Sequence, residues 1–472
     1  MTTFASTHED TIGNATVTFM SIAAALGTAT IYPLQPAVAE VSASLGVTVA
    51  AMGVALACGP VGYMVGLALL VPLVDRFSPR IVLGLQFLAL AAALVLTAVS
   101  GVVWSIGPAM LVTGACSSVG AGLSSVVGRS APPSRRSTSL GIVTAGISAG
   151  ILAGRILGGW LTDLVGWQNM LLVVAAACVV VAAVCLRALP AAKGSVTQGY
   201  LAALVSTPAL FRRSRVLRSG AVRGALWFFA FCAVWSGIAA ALSEPPSSLS
   251  AEQIGLYGLA GISGILATRI AGRWTDRVGP RPVIRVGLAV AGGSCVILAY
   301  GLSDVAVTLL ALALFDAGLF AAQVANQTTI LAINPAAPAQ FNGAYMLVYF
   351  IGGSLGTGFG TAAVAGIGWP ACVAICGAAI TVAGALTMSM GAGGTEEADR
   401  VVMSGSDSPD SIEQSKQPSI PIPTHHRFGG SDNTLQGATD SRSAKPVGSC
   451  RPTLACSNSP QPSASPQRAC AM

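Results

Sequence analysis

Charge is scarce in this chain of 472 residues. Only 9% of them are Asp, Glu, Lys or Arg, against about a quarter in a soluble domain. Water is therefore not its main solvent. Histidine is scarcer still. The three present, His8, His425 and His426, lie outside every apolar run, which excludes a histidine relay within a membrane. The eleven Cys lack paired metal spacing. Cys372 and Cys376 share a helix face but have no further ligands, and read as packing residues. No metal, no cofactor and no nucleophile–base spacing is expected, so an enzyme is disfavoured. The chain lacks a P-loop, which argues against an ATP-driven pump. The first twelve residues carry no Lys or Arg, and the first apolar run is full length, so a cleaved leader is not expected.

What remains is 53% hydrophobic. Runs of about 20 apolar residues can cross a bilayer. Breaks at Pro, Gly and charge give twelve such runs, near 13–38, 48–73, 80–101, 104–128, 138–162, 167–187, 221–243, 252–273, 281–301, 305–329, 341–364 and 368–390. The predicted fold is an all-α membrane protein. Cations follow the even spans: Arg76 and Arg80; Arg129, Arg135 and Arg136; Arg187 through Arg223; Arg273 through Arg285. Loops after odd spans hold no Lys or Arg, only acids such as Glu40, Asp163, Glu244 and Asp304. Positive charge marks the cytoplasmic side, so both termini are placed there. The net +7 is a topology signal, and no nucleic-acid partner is expected. The partners expected are the lipid bilayer, a small-molecule substrate and protons, with the chain acting as a monomer.

A repeat divides the chain. Gly141, Gly150, Gly154, Gly158 and Gly166-Trp167 recur as Gly343, Gly352, Gly356, Gly360 and Gly368-Trp369, each 202 residues on (343 − 141, 368 − 166). Such repeats are common in secondary transporters. The expected organisation is a cytoplasmic N-terminus (1–12), a six-helix bundle (13–187), a cytoplasmic linker (188–220), a second bundle (221–390) and a tail (391–472). The tail is rich in Ser and Pro and is expected to be disordered. Gly146, Gly150, Gly154 and Gly158 form a ladder on one face of span 5, suited either to sliding or to static close packing.

The loop motifs carry a family resemblance. Gly66 followed by Asp75-Arg76-Phe77-Ser78-Pro79-Arg80 resembles the loop 2–3 motif of the major facilitator superfamily. Gly272-Arg273-Trp274-Thr275-Asp276-Arg277-Val278-Gly279-Pro280-Arg281 is a second copy. Val71 and Ala267 stand where each copy would have a further glycine. Leu26-Gly27 with Pro33-Leu34-Gln35-Pro36 is similar to a motif of twelve-helix drug:proton antiporters. Residues 321–327 and 342–346 are similar to their arabinose-efflux-like and purine-nucleoside-efflux-like bacterial exporters. Met110 and Ile151 depart from that family's span 4 Arg and span 5 Pro. The resemblance implies two pseudo-symmetric six-helix bundles in a bacterial inner membrane. It also implies a cytoplasmic gate at Gly66, Asp75, Arg76, Arg80, Gly272, Asp276, Arg277 and Arg281. The plain alternative is that these cations only fix topology.

An ionisable group deep in a span is costly and a functional candidate. Asp316 is the only acid near mid-membrane, and Arg155 in span 5 is a possible counter-charge. Asp316 reads as a proton-coupling residue or as a structural partner. Gln323 and Gln327 share its helix face, flanked by Asn326. In span 1, Ser21, Thr28, Tyr32 and Gln35 form a similar stripe. Both stripes line a central cavity or bond to neighbouring helices. Trp235, Tyr345 and Tyr349 are candidates for stacking a ligand, whereas Trp227 reads as an interfacial belt residue. The favoured function is proton-coupled export of a drug or small organic metabolite by alternating access. A proton- or ion-coupled importer and a transport-inactive sensor remain alternatives.

Overall fold

In lipid every backbone N–H and C=O must find an internal partner, so long apolar runs become helices. A computed structural model describes residues 13–132, 135–189, 208–334 and 338–389, and among them there is no strand. Twelve helices follow the twelve runs: α1 Asn14–Ala29, α2 Val49–Arg76, α3 Pro79–Val99, α4 Val103–Ser130, α5 Arg136–Val165 and α6 Trp167–Ala188. The second set is α7 Arg215–Ser243, α8 Ala251–Val278, α9 Pro280–Gly301, α10 Val305–Leu331, α11 Pro338–Ile367 and α12 Trp369–Ser389. Eleven are long and apolar enough to span a membrane; α1 is the short one. Apolar side chains such as Leu85, Val99, Val180, Val296, Leu310 and Leu355 remain exposed. That surface suits a hydrocarbon solvent. The expected tail and residues 190–207 of the expected linker lie outside the described residues.

Two boundaries differ from expectation. Span 1 is not one helix to residue 38. It ends at Ala29, and Thr30–Ala37 continue as tight turns, with Tyr32, Gln35 and Val38 each donating to the carbonyl three residues back. Pro33 and Pro36 lack the N–H that an α-helix needs there. A short helix, Val38–Leu45, follows. The second difference is that α7 begins at Arg215 rather than near 221, which moves Arg223 from the first turn of the helix to its third.

The packing repeats as the sequence does. In the first bundle α1 lies on α5, α2 on α4 and α3 on α6; in the second, α7 lies on α11, α8 on α10 and α9 on α12. A Cβ on Gly150 or Gly154 would strike the carbonyl oxygens of Ala25 and Ala29, and one on Gly158 would strike Pro33. A Cβ on Gly352, Gly356 or Gly360 would strike those of Ala225, Phe229 and Ala233. The offset is 202 on one partner (352 − 150) and 200 on the other (225 − 25). The two bundles are thus built on one template, each with a glycine track that brings two backbones together.

Two seams join the bundles, α2 with α11 and α5 with α8. Their closest contacts lie toward the acidic loops. Gly53 faces Thr361, Gly159 abuts the Ala251 carbonyl, and the Glu252 N–H donates to Asp163 Oδ2 at 3.1 Å. Nearby, burial and the Asp163 carboxylate raise Glu40 above the usual carboxylate range. At the arginine-rich end, a Cβ on Gly141, Gly272 or Gly343 would meet nothing within 4 Å. The molecule is closed at its acidic end.

Candidate functional site

Counting at about 1.5 Å per residue places three polar side chains at one depth, roughly 12–16 Å from the acidic ends of their helices. They are Arg155 on α5, Trp235 on α7 and Asp316 on α10. All are buried, Asp316 to 1% exposure and Arg155 to 5%. The Trp235 indole N–H donates to Asp316 Oδ1 at 3.1 Å. The Arg155 guanidinium carbon lies 4.4 Å from the Trp235 ring centroid and 4.7 Å from that of Tyr32. Arg155 Nε donates to Gln35 Oε1 at 3.1 Å. The proline-loosened turn after α1 therefore delivers Tyr32 and Gln35 to Arg155. The sequence proposed Arg155 as counter-charge to Asp316. The structure brings them into electrostatic reach, with Trp235 inserted between as a cation–π platform on one side and a donor on the other. The arrangement spans both bundles, since Arg155 belongs to the first and Trp235 and Asp316 to the second.

The facing stretch of α8 is not α-helical. Tyr257–Gly261 form a 3₁₀ turn between two α-helical parts. Gly255 approaches the Arg155 carbonyl, Gly258 its Cβ, and a Cβ on Gly261 would sit 3.4 Å from Asp316 Oδ2. In a 3₁₀ helix residues three apart eclipse, so this three-residue glycine spacing presents one smooth edge to α5 and α10.

Lower on α10 the polar stripe is engaged with α7 and α11. Tyr345 donates to Gln323 Oε1 at 2.5 Å, and Gln327 Nε2 to Asn342 Oδ1 at 2.9 Å. Asn326 accepts from Arg223 at 2.8 Å and donates to the Gly220 carbonyl at 3.0 Å. Thr28 is buried against Gly120 rather than beside Tyr32. Between Gln323 and Asp316 runs a ladder of aromatic rings. Phe228 stacks on Tyr349 at 3.9 Å and neighbours Phe231, which in turn meets Phe320 and Trp235. Trp227, Phe228, Phe231, Leu319, Phe320, Gln323 and Tyr349 line a small cavity of about 30 Å³.

Two residues correct the sequence reading. Trp227 is not an interfacial belt residue: it is 1% exposed and lines this cavity. Arg223, counted with the topology-setting cations that follow span 6, is 3% exposed inside the second bundle. The missed signal was spacing, because Arg223 lies one turn before Trp227 on the same face of α7.

At the arginine-rich end, Asp75 pairs with Arg129 at 2.5 Å and accepts from Ser125 at 2.5 Å. Arg129 was outside the loop motif as quoted. Gly66 lets α2 approach the Ala115 carbonyl of α4, whereas Gly272 faces open space. Arg76, Arg80, Asp276, Arg277 and Arg281 sit at the same end of the two bundles.

The profile of the Major Facilitator Superfamily matches residues 17–357. The chain is 30% identical over 376 residues to the uncharacterized transporter YgaY of Escherichia coli O157:H7, covering 80% of this chain and 94% of that one. It is also 30% identical to the probable transporter SCO4007 of Streptomyces coelicolor, over 76% of this chain and 84% of that one. Among solved structures, the nucleoside transporter NupG superposes with a TM-score of 0.65 at 16% identity, over 80% of this chain and 99% of that one. An inward-facing, unoccupied bacterial homolog of the human lysosomal transporter Spinster gives 0.62 at 15% identity, over 79% of this chain and 94% of that one.

Proposed function

The chain belongs to the Major Facilitator Superfamily, a multi-pass membrane transporter, and on that premise we propose that it exports a small organic compound in exchange for protons. The observation that carries the proposal is Asp316, a carboxyl buried between helices and tied through Trp235 to Arg155 of the opposite bundle. Intramembrane acids mark proton paths. Here the acid also sits beside the seam that must part when the acidic end opens.

The cycle follows from the geometry. With the arginine-rich end taken as cytoplasmic, the molecule is closed toward the outside. Ionised Asp316 attracts Arg155 and holds the latch shut, so the empty carrier waits facing inward. Substrate entering beside the aromatic ladder disturbs Trp235 and frees the latch. The bundles then rock, and the substrate leaves. Asp316, parted from Arg155 and exposed to the outside, takes a proton, and the neutral carboxyl can be buried again as the bundles rock back. Release of that proton inside resets the latch. Both termini are cytoplasmic in this scheme, the membrane is the bacterial inner membrane, and the carrier works as a monomer. In it, the paired loop motifs with Arg129 form the cytoplasmic gate that closes when the outer end opens.

The test is efflux of a broad panel of dyes and antibacterial compounds from cells expressing wild type or Asp316→Asn. At least one compound should be extruded by wild type, retained when a protonophore is added, and retained by the variant at equal membrane expression. Extrusion by the variant at the wild-type rate would remove Asp316 from the mechanism.

A further inference from the structure

A buried cation normally has a carboxylate beside it, because desolvating an unpaired charge is costly. Arg223 has none. Among the described residues, its named hydrogen-bond partners are neutral, Asn326 at 2.8 Å and Thr387 at 3.4 Å, and no acid lies within ion-pair distance. Among the described residues its Nε–H has no partner, nor does the indole N–H of Trp227, nor the hydroxyl of Ser219. Ser219, Arg223 and Trp227 are spaced i, i+4 and i+8, one stripe of α7. Buried donors left without acceptors are uncommon in folded proteins. Three on one stripe point to an acceptor that the described residues do not supply.

The same stripe borders the aromatic cavity, which Trp227 lines. Its lining includes five aromatic rings, Trp227, Phe228, Phe231, Phe320 and Tyr349, which suits a planar ring system; at about 30 Å³ it is nearly closed in this state, so those rings must part to admit one. Arg223 lies one helical turn, roughly 6 Å, from Trp227 toward the arginine-rich end. The pseudo-symmetry excludes a need of the fold itself. In the register that aligns Ala25 with Ala225, the α1 counterparts of Arg223, Trp227, Phe228 and Phe231 are Ala23, Gly27, Thr28 and Ile31. The bundle can thus be built with neither the cation nor the rings.

We propose that the second bundle alone holds the ligand, a planar aromatic compound with one acidic group, its rings in the Trp227–Phe228–Tyr349 cavity and its anion on Arg223. The inference rests on the reading of the chain as an exporter and names its substrate class. Guanidinium suits this task because it is always charged and presents several donors to one anion. It also has an energetic consequence. An anion leaving and a proton entering both move positive charge inward, so an inside-negative potential drives such an exchange.

The experiment is calorimetric titration of the purified full-length protein in detergent with three probes of one shape: 2-naphthoate, 2-naphthylmethanol and 2-naphthylmethylammonium. Wild type should bind the carboxylate at least tenfold more tightly than either analogue. Arg223→Gln should erase that preference, and Trp227→Phe should weaken naphthoate several-fold. Arg223→Lys keeps the charge and guards against misfolding; it should retain the order of the probes with weaker naphthoate binding. Equal binding of the three probes by wild type overturns the proposal, as does naphthoate affinity unchanged in both Arg223→Lys and Trp227→Phe. The titration reads binding alone, with no pH gradient and no transport, so a failure of proton coupling is read separately from a failure of this site.

Discussion

Gly159→Ala is the sharpest available perturbation of the closed seam. Gly159 faces the Ala251 carbonyl of the other bundle, and a Cβ there would overlap that backbone oxygen and press on Glu252 Cα. Backbone cannot rotate out of the way as a side chain can, so the seam must open or strain. Overpacking of this kind costs about 1–3 kcal/mol, equivalent to a shift of roughly 5- to 150-fold in a two-state equilibrium. The cost falls only on the acidic-end-closed state, because neither bundle is itself crowded by the added methyl. Gly53→Ala meets only the Thr361 side chain, which can change rotamer, and should shift the balance less. The assay is electron–electron distance measurement between spin labels at Val102 and Asp304, acidic-end loop positions on opposite bundles, in a background with the other reactive cysteines replaced. Gly159→Ala should populate a longer distance about tenfold more than wild type. An unchanged distribution in a folded variant would refute rocking about this seam.

Other perturbations separate the roles of neighbouring groups. Gly154→Ala collides with the Ala29 carbonyl inside one bundle, so it should lower the melting temperature in detergent by an amount matching about 1–3 kcal/mol; a wild-type melt would show that the glycine track is slack. Trp235→Phe keeps a ring under Arg155 but loses the bond to Asp316, worth about 1.5–3 kcal/mol as a charged hydrogen bond. Trp235→Ala also loses a cation–π contact of about 2 kcal/mol. Efflux should therefore fall in the order wild type, Phe, Ala, and equal Phe and Ala variants would deny the platform role. Ionisation of Glu40 is opposed in the folded protein by burial and Asp163, so stability falls as pH rises through its raised value. Glu40→Gln should accordingly melt above wild type at mildly alkaline pH and level with it in acid, and the reverse order would contradict that electrostatic reading.

Much of the architecture was legible because lipid imposes few options. Helix number followed from apolar length, and the 202-residue glycine repeat reappears as two equivalent backbone contacts, Gly150 on Ala25 and Gly352 on Ala225. The break after Ala29 was also written in Pro33 and Pro36, but apolar length masked it. Arg155 and Asp316 stood out because charge is rare in spans, yet only three-dimensional packing could show Trp235 between them. Arg223 was hidden by its company. Five other cations lie between residues 193 and 218, so a count by loop absorbed it, and only its burial separates it from them. Arg129 likewise lay too far along the chain from Asp75 for spacing to pair them.

The most direct test of the central claim is transport in proteoliposomes, using a compound that wild-type cells extrude, with and without an imposed pH gradient. Wild type should accumulate it against its concentration gradient, and Asp316→Asn should lose that accumulation while still exchanging labelled for unlabelled compound. Accumulation by Asp316→Asn equal to wild type would contradict the account.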